Sequence, residues 1–539
     1  RSAKAPPPPW GRPLLRWRRA AAMEPAGLPE HRRPEARLAR ARELLASGDT
    51  DTALAELLMA KLEAGETAVE GSADPAMAEL ETLLAEPRLA EAVSAWPESV
   101  TQAVNPRRHT FLTSRQAPQR MEPTSTALDS AEAPLSPSSS PNDGDWPAPR
   151  HAASLLGAAC PVVECSGSRC LPRAAVECIR ADRPLVLRGL DLLPGAVERW
   201  SFDYLAEHIR GDHNVFASQD GAFTYWYGKA NSSGFDFAAP TQREALTFRE
   251  FLARHRKEAT DEAEGSSLYF QDTIWNTRDA RGNAGPLKRE MLSDALLKDW
   301  EGLSWEALEE VQSAAGLGGL AISTLFCSCR GAYSRPHYDQ MANLHLQIRG
   351  AKRWLLFRPE DAPSLYAYPR GHPLDRKSRV DLEEPDLTSF PEAAALHGRG
   401  ICAVLLPGDV LWLPPHWWHA VHSLEDETVS LNLWWDPPGP EALASGPSSI
   451  ELARDLEDVV LRVLGPGPQV EDFLRALQAA LPLAGDAARL RAYLLHQLLE
   501  LRCAGRLPGR AAREVLRLLD ARRYAGLCFA SQEELAARA

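Results

Sequence analysis

From about residue 184 the chain is written in short apolar runs rich in β-branched and aromatic residues and punctuated by turn residues. Leu185-Val186-Leu187, Leu268-Tyr269-Phe270, Ala321-Ile322-Ser323-Thr324-Leu325-Phe326, Trp354-Leu355-Leu356-Phe357 and Val410-Leu411-Trp412-Leu413 are examples. Runs of this length are too short for helices, and together they predict the strands of a mainly β sandwich or barrel, a jelly roll. Helical spacing at 202–210 and 246–257 predicts helices packed outside it. From 448 the 3.6-residue period returns, with Leu452, Leu456, Val460 and Val463, then Phe473, Leu474 and Leu477, around Gly465-Pro466-Gly467-Pro468. Two apolar-faced helices appended to a β core either cover one end of it or form a partner interface.

Upstream of the strands the organisation changes twice. Residues 34–97 are rich in Ala, Leu and Glu at helical spacing, with Gly48-Asp49 between two runs, and predict a small helical module without a fixed-period repeat. Residues 98–150 read as a linker; the stretch 115–150 alone holds seven Pro and six Ser. The segment 1–33 reads as disordered or as translated upstream sequence with Met23 the natural start, although the Arg-rich, acid-poor 1–22 is also compatible with a mitochondrial presequence. The expected division is therefore 1–33, 34–97, 98–150, a catalytic domain at 151–440 and a helical region at 441–539.

Composition narrows the function. With 73 acidic against 60 basic residues the net charge is −13, which argues against nucleic acid as the main partner. Nine cysteines without CxxC spacing indicate neither a disulfide framework nor a zinc ribbon, and fit a reducing compartment, cytoplasm or nucleus. No run approaches the roughly 18–20 apolar residues of a membrane span, so no membrane role is expected.

The chemistry concentrates in Ser334-Arg335-Pro336-His337-Tyr338-Asp339 and, further on, Pro414-Pro415-His416-Trp417-Trp418-His419. In a strand, residues two apart share a face, so His337 and Asp339 can project an imidazole and a carboxylate together into a barrel. His419, just beyond the run 410–413, is placed to supply a third ligand from across the barrel; His416 and His422 compete with it, His416 being expected to face outward. Two His and one carboxylate on one face of a metal leave positions open for Fe(II) and O₂ chemistry. Lys352, on the next expected strand, would be costly inside a β core unless an anion meets it.

His337-Tyr338-Asp339, Asn343, Gln347-Ile348-Arg349-Gly350, Lys352-Arg353, Pro407-Gly408-Asp409-Val410, Trp417-Trp418-His419 and Asn432-Leu433-Trp434 resemble the JmjC (cupin-like) 2-oxoglutarate oxygenases. Within them the resemblance is nearest to factor inhibiting HIF, the asparaginyl hydroxylase, and extends to 243–251, 268–273 and 372–376. It implies that His337, Asp339 and His419 bind Fe(II), and that Lys352, Tyr269 and Ser334 hold the distal carboxylate of 2-oxoglutarate, the family having Thr where Ser334 stands. It further implies that Asn343 and Asn432 lie near the chelating end. O₂ would then drive decarboxylation of 2-oxoglutarate to succinate and CO₂ with hydroxylation of a C–H bond. Tyr225, Gln271, Arg376 and Trp434 match substrate-side positions. Lys377 departs from the pattern, since the asparaginyl hydroxylase has a Gln there to complement an amide, whereas Lys only donates. The target that the resemblance implies is thus a protein side chain, with Asp expected as well as Asn. The resemblance also implies a homodimer through Leu452, Leu456, Val460, Val463, Phe473 and Leu477. The rival readings are an oxygenase acting on tRNA or histone tails and a non-catalytic JmjC scaffold.

Overall fold

The computed structural model describes residues 34–64, 75–89, 154–226, 234–258, 267–275, 291–436, 448–479, 481–503, 507 and 509–530; the expected linker 98–150 and the basic stretch 1–22 lie outside them. Two sheets form the β core. The smaller has six strands in the spatial order β1 (Leu156–Ala159), β12 (Gly400–Leu405), β11 (Lys352–Phe357), β14 (Trp418–Ser423), β9 (Tyr333–Tyr338) and β5 (Ala222–Phe223). The larger has nine, in the order β2 (Val162–Glu164), β3 (Leu185–Arg188), β13 (Val410–Leu413), β10 (Ala342–Arg349), β15 (Thr428–Trp435), β8 (Leu320–Ser328), β7 (Ser267–Trp275), β4 (Asp212–Ser218) and β6 (Gln242–Thr247).

Period-2 alternation decides which side chains enter the core between the sheets. On β15, Leu431, Leu433 and Trp435 are fully buried on the outer side, in one cluster with Leu344, Leu346 and Ile348 of β10. The helices Phe202–His208 and Phe248–Glu258 cover that cluster through Phe202, Leu205, Phe248 and Phe251, as the sequence predicts. The intervening residues Ser430, Asn432 and Trp434 face inward. Trp354 and Leu356 of β11 meet Leu411 and Leu413 of β13 in a cluster that both sheets share. At about 25 cal/mol per Å² of apolar surface, each such side chain contributes roughly 1.5–3 kcal/mol, which fixes the register of the polar residues between them.

The β10–β11 hairpin turns at Gly350, whose φ is 64° and whose Cβ, were there one, would run into the carbonyl of Glu427. Gly350→Ala is therefore expected to destabilise the fold by about 1–3 kcal/mol, visible as a lowered midpoint in urea unfolding. Because the hairpin leads directly into Lys352, the same variant should also weaken anion binding in the cavity described below.

The helices Ser449–Leu464, Gln469–Gln478, Gly485–Cys503 and Gly509–Leu518 follow the barrel. Leu452, Leu456, Val460, Phe473 and Leu477 are all buried within the chain, in one cluster with Leu54, Leu57 and Leu58 of the helix Thr50–Ala64 and with Leu494, Leu495 and Leu498. The side chains expected to present a dimer surface are thus already covered by the chain itself, Val463 partly. Among the described residues no helix is long and apolar enough to cross a membrane.

Candidate metal centre and its cavity

β9 and β14 are antiparallel neighbours, and His419 lies directly opposite His337 in their register. The third ligand thus comes from the adjacent strand of the same sheet, not from across the barrel, because β13 ends at Leu413 and the turn at Pro414–Trp417 sends the chain back along β9. The two imidazole rings are 4.2 Å apart, and Asp339, one residue past the end of β9, places Oδ2 3.9 Å from Nε2 of His419. One ligand atom from each of the three residues falls within 4.8 Å of the others.

Hydrogen bonds fix the tautomers. Nδ1 of His337 donates to the carbonyl of Arg335 at 2.8 Å, and Nδ1 of His419 donates to that of Trp417 at 3.0 Å. A carbonyl can only accept, so Nε2 of each ring carries a lone pair. Burial, with the nearby Lys377 and the partner histidine, pushes His337 well below the usual histidine range; burial also lowers His419 against the opposing pull of Asp339. Two neutral imidazoles and a carboxylate converging in this way fit a divalent cation, Fe(II) among them.

A cavity of about 620 Å³ opens from this centre, lined also by Tyr225, Tyr269, Gln271, Ser334, Lys352, Arg376, Lys377, Asn432 and Trp434. Asn343, expected beside them, is not on its wall; it is buried, and both its amide atoms lack a hydrogen-bond partner. Lys352 enters from the first residue of β11 and crosses the interior to the larger sheet, where Nζ donates to Ser430 Oγ at 2.8 Å and to the Tyr269 hydroxyl at 3.3 Å. It is 2% exposed, and burial depresses its pKa to about 7. Ser334 hydrogen-bonds Tyr269 rather than Lys352, so it acts on the cation through the phenol. Nζ also lies over the Tyr269 and Phe326 rings, and a buried ammonium that meets hydroxyls and ring faces but, among the described residues, no carboxylate is suited to receive one.

Sequence reasoning missed three residues. Ser430 lies on the same face of β15 as Asn432 and Trp434, which the resemblance pointed to, and strand alternation from those two would have reached it. His345, on the inner face of β10, lines the cavity with Nε2 3.2 Å from Gln347 Oε1 and Nδ1 2.7 Å from the Asn432 amide. Gln347 gives its amide nitrogen to the carbonyls of Arg349 and Gly350 and turns its oxygen to Nε2, while Oδ1 of Asn432 lies against Nδ1, so the imidazole is held between two amide oxygens. Burial, with Lys352 adding, holds His345 neutral at a pKa of about 3. Third, Arg454 of the helix Ser449–Leu464 grips Asp375 with two bonds of 2.7 Å and the Tyr338 hydroxyl at 2.9 Å, anchoring the loop that carries Arg376 and Lys377.

Of the two competing histidines, His416 departs from expectation and His422 does not. His416 does not face outward: with φ 66° it turns in, is 1% exposed, and its Nε2 is 3.9 Å from Glu451. His422 points to the other side of β14, stacked on Tyr333 at 4.1 Å and 3.3 Å from Glu383.

Residues 173–440 match the cupin-like domain family. This chain carries a cupin-like JmjC domain. HSPB1-associated protein 1 of Rattus norvegicus is 42% identical over 116 residues, 21% of this chain and 23% of that one. Lysine-specific demethylase JMJ31 of Arabidopsis thaliana is 26% identical over 262 residues, 47% and 46% of the two chains. tRNA wybutosine-synthesizing protein 4 of Neurospora crassa is 28% identical over 262 residues, 48% of this chain and 19% of that protein. The chain thus spans about a quarter of the length of HSPB1-associated protein 1 and less than half of the other two.

Proposed function

We propose that the protein is an Fe(II)- and 2-oxoglutarate-dependent dioxygenase that hydroxylates a protein side chain, Asn or Asp. The observation that carries this reading is the pairing, in one cavity, of three convergent metal-ligand side chains with a buried ammonium that, among the described residues, has no carboxylate partner. His337, Asp339 and His419 would hold the metal. Lys352, Tyr269 and Ser430 would take the far carboxylate of the co-substrate, and Asn432, its amide set by His345, would lie near the chelating end. Iron with 2-oxoglutarate and O₂ supplies the oxidising chemistry; the protein excludes water and places the target carbon. A non-catalytic scaffold is disfavoured, because a buried Lys352 without an anion is a standing cost to the fold.

Anaerobic titration of the full chain with Fe(II) and 2-oxoglutarate tests the reading. A visible charge-transfer band is expected in the wild type and should vanish in Asp339→Ala. A folded wild-type protein that develops no band would remove the oxygenase assignment.

A further inference from the structure

Residues 520–530 follow the helix Gly509–Leu518 and cross to the wall of the cavity, where they make two different kinds of contact. The first half is a buried root. Tyr524, 2% exposed, donates its hydroxyl to Oε1 of Glu457 at 2.5 Å, and Arg523 gives Nη1 and Nη2 to Oε2 at 3.3 and 3.2 Å. Arg523 also donates to the carbonyls of Ala367 and Tyr368 at 2.9 and 3.2 Å. Arg379 returns the exchange, with bonds of 2.9 and 2.8 Å to the carbonyls of Arg523 and Ala525. Hydrogen bonds from a charged donor are strong, and here two arginines interlock the stretch 367–379 with the root.

The second half is a surface tip. Ala525, Gly526 and Cys528 are exposed, and Phe529 and Ala530 are half-buried. Asp236 N–H donates to the Cys528 carbonyl and Ala530 N–H to that of Gly234, each at 3.0 Å, and the rings of Phe235 and Phe529 are 5.3 Å apart. Main-chain bonds near the surface open early in local unfolding, whereas a buried arginine–carboxylate pair is costly to break.

Both halves reach the same cavity residue. His372 lines the cavity, its ring stacked on Tyr368 at 4.5 Å on the side of the root and edge-on to Phe235 at 4.9 Å on the side of the tip. Its Nδ1 accepts the Leu374 N–H at 3.0 Å, which fixes the ring to its own loop. Phe237, 6.0 Å from the same ring, continues the cover toward Trp226. The root thus holds one wall of the cavity, and the tip holds the segment 234–237 against that wall.

We propose that residues 525–530 are a detachable clasp, whose bridge to 234–236 keeps 234–237 seated on His372 and whose release widens access to the cavity while the root stays in place. The clasp acts whatever the cavity binds, so it stands apart from the oxygenase reading.

Hydrogen exchange and thiol labelling of the full chain, with no metal added, test it. Phe529→Ala removes the ring of the clasp and Phe529→Tyr keeps it. Thr324→Cys, introduced in each background, puts a thiol on the buried cavity wall, and its alkylation by iodoacetamide is read on the peptide that contains it. In Phe529→Ala, exchange of the Asp236 amide and alkylation at 324 should each accelerate about tenfold, with Phe529→Tyr at wild-type rates and exchange in β9 and β14 unchanged. A chain ending at Ala525 should behave as Phe529→Ala does. Unchanged exchange or unchanged alkylation in either of these variants would overturn the proposal. Acceleration that spreads to β9 and β14 would also overturn it, since the ring would then support the fold as a whole rather than the mouth of the cavity.

Discussion

Replacing Lys352 by Met is expected to make the unliganded protein at least as stable as the wild type while abolishing 2-oxoglutarate binding. The Met side chain fills similar space and removes a charge that burial already disfavours, so thermal unfolding of the apoprotein should shift upward or stay in place. Losing one partner of a desolvated charge pair in the complex should cost about 2–5 kcal/mol, roughly 30- to 5000-fold in co-substrate affinity by calorimetry. A pH profile gives an independent check. Below its depressed pKa of about 7 the lysine is charged before the anion arrives; above it, binding must take up a proton, so wild-type affinity should fall about tenfold per pH unit as the pH rises past 7. The stability term has the opposite sign. Between about 7 and the ordinary lysine range the unfolded chain holds a proton that the folded one lacks, so apoprotein stability rises with pH there, and Lys352→Met should flatten both slopes. Affinity retained in Lys352→Met would show that the anion binds elsewhere.

What could be read from the sequence follows from the range of the interaction that sets each feature. Strand alternation is local, so the short runs disclosed the sheets and put His337 and Asp339 on one face, whereas Asn432 and Trp434 were reached only through the resemblance. The same rule contained Ser430, whose hydroxyl carries no chemistry distinctive enough to draw notice until Lys352 is seen 2.8 Å away. His345 reads as an ordinary strand residue; only the cross-strand neighbour Asn432, 87 positions on, reveals its place in the cavity. His416 was misplaced because the left-handed backbone of one residue in the Pro-Pro-His-Trp turn, not the hydropathy around it, sends its ring inward against Glu451. The helical ends were the least legible part. Their periodicity is plain, but which apolar face covers which is decided between segments more than 400 residues apart.

That long-range contact makes the second large prediction. Glu56, 1% exposed, accepts a hydrogen bond of 2.8 Å from Arg37 and another of 2.8 Å from Arg491, each guanidinium being equally buried. Arg491 also donates to the carbonyls of Ala479 and Leu481, so it ties the N-terminal helices to the C-terminal set. Glu56→Gln keeps the shape and removes the carboxylate that the two buried guanidiniums share. The cost should be about 3–5 kcal/mol, seen in urea unfolding and as protease cleavage within 34–64 under conditions where the wild type resists. Replacing all three together, Arg37→Met, Glu56→Leu and Arg491→Met, should be near neutral or stabilising, because no charge is then left buried and the surrounding Leu54, Leu57, Leu494 and Leu498 supply an apolar site. If Glu56→Gln leaves stability unchanged, the helices do not dock through this triad. If the triple variant is as damaged as the single one, the triad sets the register of the two helical segments rather than merely tolerating its own burial. In both variants the metal ligands are untouched, so the charge-transfer band should persist wherever the barrel stays folded.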